Sequence, residues 1–322
     1  MINILYAGSP EPAATTLQIL FDNAQNSDSG YKIVGVFSNP PTAKGRHKEP
    51  TPTPVAALAQ TLGLPVLTPE HLDSAARDQV KALNPDILVC FAYGHIFGPK
   101  FLECFKYGGI NLHPSLLPKY RGCTPVPAAI INGDKQTAAT IQTLSLKMDE
   151  GDILAQKIID LNGSETTGSL LDTSAKEGAK LICDLLNTVS QTGKMPQGKP
   201  QSGEASYTSI ITKEDAKINW SESAQKISAK IRAYTPEPCS WCIDENNLPL
   251  KILEADFVEQ NQTVFAKAEP GKVIEYVKPQ GIIIQTGDGI LVAKKLQRQG
   301  KNAMLYKDFM NGARNFTGTI LK

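Results

Sequence analysis

An α/β fold with a mostly parallel sheet, followed by a smaller β-rich domain, is predicted by three features of this sequence. Short apolar runs alternate with helical patterns over the first part of the chain; a stretch rich in Gly, Pro, Ser and Gln interrupts them at 191–206; beyond it come short, closely spaced strand-like runs. At 322 residues the chain can bury two cores, so the expected division is 1–190, a linker at 191–206, and 207–322.

The elements follow in order. Ile2 to Ala7 reads as a buried strand, Gly8-Ser9-Pro10 as a turn, Ala13 to Leu20 as a helix and Ile33 to Phe37 as a second strand. Helix Val55 to Leu62, the strand-like pair Val66-Leu67, helix Ala75 to Leu83 and strand Ile87 to Phe91 continue the alternation that makes a Rossmann-like sheet covered on both faces. A strand is expected from Ala138 to Leu146 and a helix from Leu170 to Leu186. After the linker, Ala224, Ile227 and Ile231 mark one helical face behind Trp220. Leu250 to Leu253, Gly271 to Val277, Gly281 to Gln285 and Ile290 to Ala293 then suggest a small β-barrel.

Composition excludes several classes. Formal net charge is +1, so bulk charge selects neither nucleic acid nor membrane as a partner. From Gly287 to Lys322, however, seven basic residues (Lys294, Lys295, Arg298, Lys301, Lys307, Arg314, Lys322) face two acidic ones (Asp288, Asp308), which makes the C-terminal end a candidate basic patch. Six scattered cysteines lack the density of a disulfide scaffold and suit a reducing compartment, with cytoplasm as the default. Cys239-Ser240-Trp241-Cys242 has no second pair or His cluster to complete a metal site, so it reads as structural. No run is long enough to span a bilayer, and the start lacks a signal peptide's basic region. Gly8 lacks the two partner glycines of a dinucleotide fingerprint, which leaves a nicotinamide or flavin cofactor unsupported.

The chemistry concentrates between Gly109 and Asp152. In Gly109-Ile110-Asn111-Leu112-His113 the alternation places Asn111 and His113 on one side of a strand, beyond which ligands of such sheets bind. An amide donor beside an imidazole suits a carbonyl that gains negative charge. Asp149, on a Gly-containing turn, can reach the imidazole and hold its tautomer.

The run Asn111-Leu112-His113-Pro114-Ser115-Leu116-Leu117-Pro118-Lys119-Tyr120-Arg121-Gly122, with Asp149-Glu150-Gly151-Asp152 beyond it, resembles the signature of the folate-dependent formyltransferases. That resemblance implies N10-formyltetrahydrofolate as co-substrate, no metal, and Asn111, His113 and Asp149 as the catalytic residues. It also implies a folate site lined by Ser115, Leu116, Leu117 and Pro118, with the backbone around His95, Ile96 and Phe97 reading the pterin edge.

The acceptor must be read elsewhere. Asn39 to Pro54 is long for a connection in such a sheet and carries Lys44, Arg46 and Lys48. Members of the family that formylate initiator methionyl-tRNA have a basic Gly-Arg insertion here ending in Pro-x-Pro-Val, and Gly45-Arg46 with Pro52-Thr53-Pro54-Val55 is similar. The segments Thr212 to Trp220, Ile231 to Pro238 and Leu296 to Met304 resemble the OB-like domain of the same members. The resemblance thus implies methionyl-tRNA as partner, gripped by Lys44, Arg46, Lys48 and the 207–322 domain. A UDP-amino-sugar acceptor, or a binding module without turnover, stands as the alternative. The expected mechanism has Asn111 and a protonated His113 donating to the oxyanion, with Asp149 favouring the imidazolium.

Overall fold

A computed structural model describes residues 1–44, 49–313 and 315–322, with Lys44 described through its backbone alone. The elements are β1 (Ile2–Gly8), α1 (Glu11–Ala24), β2 (Tyr31–Phe37), β3 (Thr42–Lys44), β4 (Glu49–Thr51), α2 (Pro54–Thr61), β5 (Val66–Leu67), α3 (Ser74–Ala82) and β6 (Ile87–Phe91). There follow α4 (Pro99–Leu102), β7 (Gly109–His113), β8 (Arg121–Gly122), α5 (Pro125–Ile131), β9 (Gln136–Thr143), β10 (Ile153–Asp160), α6 (Thr167–Thr192) and β11 (Tyr207–Thr208). The remainder holds α7 (Ala224–Ala233), β12 (Ser240–Ile243), β13 (Pro249–Val258), β14 (Val273–Val277), β15 (Gly281–Gln285), β16 (Ile290–Arg298), β17 (Met304–Leu305) and α8 (Tyr306–Gly312).

Two compact units divide the chain: 1–125, 136–160 and 171–208 form one, and 126–135, 161–170 and 209–322 the other. The first is built on a seven-stranded sheet of order β10-β9-β7-β6-β1-β2-β5. Its five strands from β7 to β5 run parallel, while β9 and β10 are antiparallel additions at one edge. Both faces are covered, which is why β1 and β6 read as nearly continuous apolar runs. On one face Tyr6, Val89, Ile110 and Ile141 pack with Leu17 and Leu20 of α1 and Ile182 and Leu186 of α6. The other face buries Leu5, Phe37 and Leu88 against Val80 of α3. Here Phe37, Phe97, Phe101 and Tyr93 form an aromatic group, with Tyr93 and Phe97 stacked at 5.2 Å.

Helices α2, α3 and α7 begin where short polar side chains satisfy their free N–H groups. Thr53 accepts from Ala56 N at 3.1 Å, Asp73 from Ala76 N at 3.0 Å and Ser223 from Lys226 N at 3.3 Å. In the second unit β12-β13-β16-β15-β14, with β17 beside β16, make an antiparallel six-stranded sheet. Its core joins Trp220, Ile227 and Ile231 to Leu250, Ile252, Ile284 and Leu291. Cys239 and Cys242 are buried here, and burial pushes both thiols up.

The structure departs from sequence expectation at three places. The long connection after β2 contains the short β3–β4 hairpin, while Gly45, Arg46, His47 and Lys48 lie outside the described residues. Residues 126–135 and 161–170 group with the second unit, although they fall inside 1–190. And 191–206, expected to be a linker, packs within the first unit, with 191–192 closing α6 and 193–206 in irregular backbone. Lys199 pairs with Ile153 in both directions at 2.9 and 2.8 Å, and Arg121 N donates to Ser206 O at 2.8 Å. A Gly/Pro/Ser/Gln composition dictates non-helical backbone; it does not dictate detachment.

Candidate active site

Asn111 and His113 emerge together on β7, at the carboxyl end of the parallel strands, as the alternation requires. Their neighbours in register on β9 are Gln142 and Thr140, so a polar layer crosses the antiparallel edge. Gln156 on β10 donates to Thr140 Oγ1 at 2.8 Å, and Thr140 donates to Ser115 O at 2.7 Å. Thr140, Gln142 and Ser115 are buried, and the chain of bonds leaves these groups satisfied.

His113 is buried and fixed from both sides. Its Nε2 lies 2.9 Å from Tyr120 O; a carbonyl only accepts, so Nε2 carries the proton. Nδ1 faces Asp149 Oδ1 at 3.6 Å, a separation that leaves its lone pair uncommitted. Burial lowers the basicity of the ring below the ordinary 6.5, outweighing Asp149 and the Tyr120 carbonyl, which raise it. Burial thus works against the protonated ring that the sequence leads one to expect, because sequence gives the neighbouring charge and not the desolvation.

Asp149 sits at φ +53° in the left-handed region. Its Oδ2 accepts from Gly122 N at 2.8 Å and its Oδ1 from Gln142 Nε2 at 2.8 Å. Gly151, two residues on, approaches β9 so closely that a Cβ would lie 1.8 Å from Thr143 O. Gly151→Ala is accordingly expected to displace the Asp149 turn and lower turnover about a hundredfold, a loss measurable by initial rates at saturating substrates. Unchanged rates would show that the turn position is immaterial.

The Asn111 side chain has no hydrogen-bond partner among the described residues and is half-buried, a donor held ready for an incoming acceptor. The residues expected to line a folate site divide. Ser115 spends its hydroxyl on Lys119 O at 2.7 Å and so closes its own loop; Leu117 is buried, while Leu116 and Pro118 are half-buried. His95 is exposed and lies 3.0 Å from Asn39 Oδ1, Ile96 is 61% exposed, and Phe97 turns its ring into the aromatic group, leaving its backbone to the surface loop. Of the basic loop, Lys44 contributes only backbone to the description, and Arg46 and Lys48 lie outside it.

Sequence reasoning missed Gln142, Gln201 and the Tyr120 carbonyl. Gln142 carried a signal, a carboxamide two residues from Thr140 in an apolar strand; a backbone carbonyl and a glutamine in an irregular segment carry none. No group of three or more His, Cys, Asp or Glu able to hold a metal occurs among the described residues.

An amide donor, a buried imidazole and a carboxylate thus meet at the mouth of a parallel sheet, and comparison with known proteins names the class. The chain belongs to the formyl transferase family: residues 3–186 match Formyl transferase and 210–314 match Formyl transferase, C-terminal domain. It is 42% identical to the methionyl-tRNA formyltransferase of Treponema denticola, over 98% of each chain, and 38% identical to that of Roseiflexus castenholzii, over 97% of this chain and 96% of the other. Among solved structures, methionyl-tRNA formyltransferase from Clostridium thermocellum superposes with a TM-score of 0.57 at 20% identity, covering 84% of this chain and 98% of that one. HypX from Aquifex aeolicus in complex with tetrahydrofolic acid gives 0.63 at 14% identity, over 98% of this chain and 48% of that one. At these identities the structural likenesses speak for the fold.

Proposed function

We propose that this chain transfers the formyl group of N10-formyltetrahydrofolate to the α-amine of initiator methionyl-tRNA, giving N-formylmethionyl-tRNA and tetrahydrofolate. The carrying observation is the Asn111–His113–Asp149 arrangement, in a chain similar to methionyl-tRNA formyltransferases along nearly its whole length.

In this reading the amine attacks the formyl carbon and the carbonyl oxygen becomes an oxyanion, to which Asn111 donates. The amine's proton passes to Nδ1 of neutral His113, and the new imidazolium is flanked by the Asp149 carboxylate and the Tyr120 carbonyl. Collapse breaks the bond from the formyl carbon to N10, which takes a proton from the imidazolium and leaves the ring neutral again. Leu116, Pro118 and the backbone of 95–97 line the folate, with Ser115 and Leu117 shaping the loop from within.

The tRNA is gripped by Lys44, Arg46 and Lys48, and by the C-terminal part from 207 onward. There Lys295, Lys301, Lys307 and Lys322 have no ion-pair partner among the described residues, whereas Lys294 pairs with Asp256 and Arg298 with Asp244 and Glu245. A groove of the second unit adds Arg232 and Lys251, interspersed with Glu237 and Glu254. A cytoplasmic setting belongs to the same proposal and fits six free cysteines. No described helix is long and apolar enough to cross a membrane.

The test is an acceptor screen with formyl-folate and, separately, methionyl-tRNA, a UDP-amino sugar and glycinamide ribonucleotide. Product from methionyl-tRNA alone is expected; product from the sugar nucleotide alone overturns the acceptor, and silence with all three overturns the activity. Arg46→Ala tests the loop. It is expected to cut tRNA formylation, leave folate binding intact, and make the log–log salt slope of tRNA affinity shallower by about one unit for each phosphate no longer neutralised. Identical slopes and rates in both proteins would remove the loop from the tRNA site.

A further inference from the structure

Gln201 lies in the segment whose composition reads as a solvated linker, yet its carboxamide stands between three parts of the site. Nε2 donates to Asp149 O and to Gly151 O, each at 2.8 Å, and lies 3.3 Å from Gln142 Oε1. Oε1 accepts from Arg121 Nε at 3.1 Å and Nη2 at 2.8 Å. Arg121 in turn donates through Nη1 to Tyr207 OH at 2.8 Å, pairs with Glu150 at 3.2 Å, and Tyr207 donates to Glu150 Oε1 at 3.0 Å. Together these bonds form a closed ring around residues 149–151.

That ring answers a physical need. A left-handed aspartate is uncommon and persists where its surroundings over-determine it. The two carbonyls held by Nε2 flank Glu150, and fixing them fixes the turn from whose first residue the Asp149 side chain projects. Only a carboxamide meets the demand: a carboxylate cannot donate to the carbonyls, and an apolar side chain cannot accept from Arg121.

We propose that Gln201 is a positioning residue for formyl transfer, holding the Asp149 turn through Asp149 O and Gly151 O so that the carboxylate faces His113 Nδ1, with Arg121 fixing the orientation of Gln201 itself. The inference rests on the formyl-transfer reading above. It also makes the stretch that continues into the second unit at Ser209 part of the catalytic machinery.

The experiment compares full-length wild type, Gln201→Ala and Gln201→Glu. Both variants are expected to lose about tenfold to a hundredfold in kcat while the KM for formyl-folate and the Tm stay near wild type. Gln201→Glu, which keeps a partner for Arg121 and loses the donors, should fare no better than Gln201→Ala. The NMR titration of the His113 ring should move to lower pH in Gln201→Ala, because Asp149 opposes the effect of burial on that ring. Cys90 on β6, which also feels Asp149, has its thiol pushed up to about 12 and does not titrate in this range. Unchanged kcat with an unchanged His113 titration overturns the proposal. So does full activity in Gln201→Glu, which would leave only the bond to Arg121, or a parallel collapse of Tm and folate binding in both variants. A wild type that formylates no acceptor would sink the functional reading instead; the titration tests Gln201 without any acceptor.

Discussion

His113→Ala is expected to lower kcat about a thousandfold while the KM for formyl-folate changes little, because the ring acts on a proton that moves only as the new bond forms. Initial rates at saturating methionyl-tRNA measure this, and near-wild-type turnover would end the catalytic assignment. The lowered basicity of the buried ring predicts the pH dependence as well. Activity should be flat near neutrality and fall on an acid limb below 6.5, where Nδ1 becomes occupied. Stability carries the same sign. Between the folded value and 6.5 the unfolded chain binds more protons than the folded one, so stability falls as pH drops through that window and levels below the folded value. Urea titrations of wild type and His113→Gln over about pH 5 to 7 would show the extra slope in wild type alone.

Asp149→Asn is the second large effect, with an expected loss of about a hundredfold in kcat. The amide keeps the size of the side chain and one acceptor, so the turn can retain either its bond from Gly122 N or that from Gln142, while the charge facing Nδ1 disappears. Without that charge the imidazolium formed during transfer loses its counter-ion, and the acid limb of the pH profile should move still lower, since Asp149 raises the basicity of His113. An acid limb that stays in place would mean that the carboxylate does not act through the ring. Asp149→Ala should add a loss of stability, because Gly122 N and Gln142 both lose their acceptor.

What the sequence disclosed follows from periodicity. Alternation along Gly109 to His113 put Asn111 and His113 on one side of a strand, and apolar runs located β1, β2 and β6. Asp149 was legible from its place in a glycine-containing turn. The length of α6, which runs to Thr192 past the expected Leu186, was thinly signalled, because between Asn187 and Thr192 a single apolar residue, the buried Val189, continues the helical spacing. The β12 strand was masked by the cysteine pair, which drew attention as a metal motif before it was read as structural, though its burial alternates as a sheet demands. The lowered basicity of His113 and the hydrogen bonds of Gln201 depend on what lies around them in three dimensions, with Gln201 more than fifty positions from Asp149 along the chain.

The stacked rings under residues 92–98 separate what this surface loop must inherit from what it can exchange. Tyr93 and Phe97 are sunk in the core and peg the loop from below, while Asn39 Nδ2 ties it from the side by donating to Tyr93 O at 2.9 Å. Ala92, Gly94, His95 and Ile96 face outward between the pegs. A co-substrate met there by main-chain groups would feel the pegs and not the outward side chains. A change at outward-facing Ile96 would leave such main-chain groups where they are, whereas a change at Phe97, though out of a ligand's sight, would be felt at once.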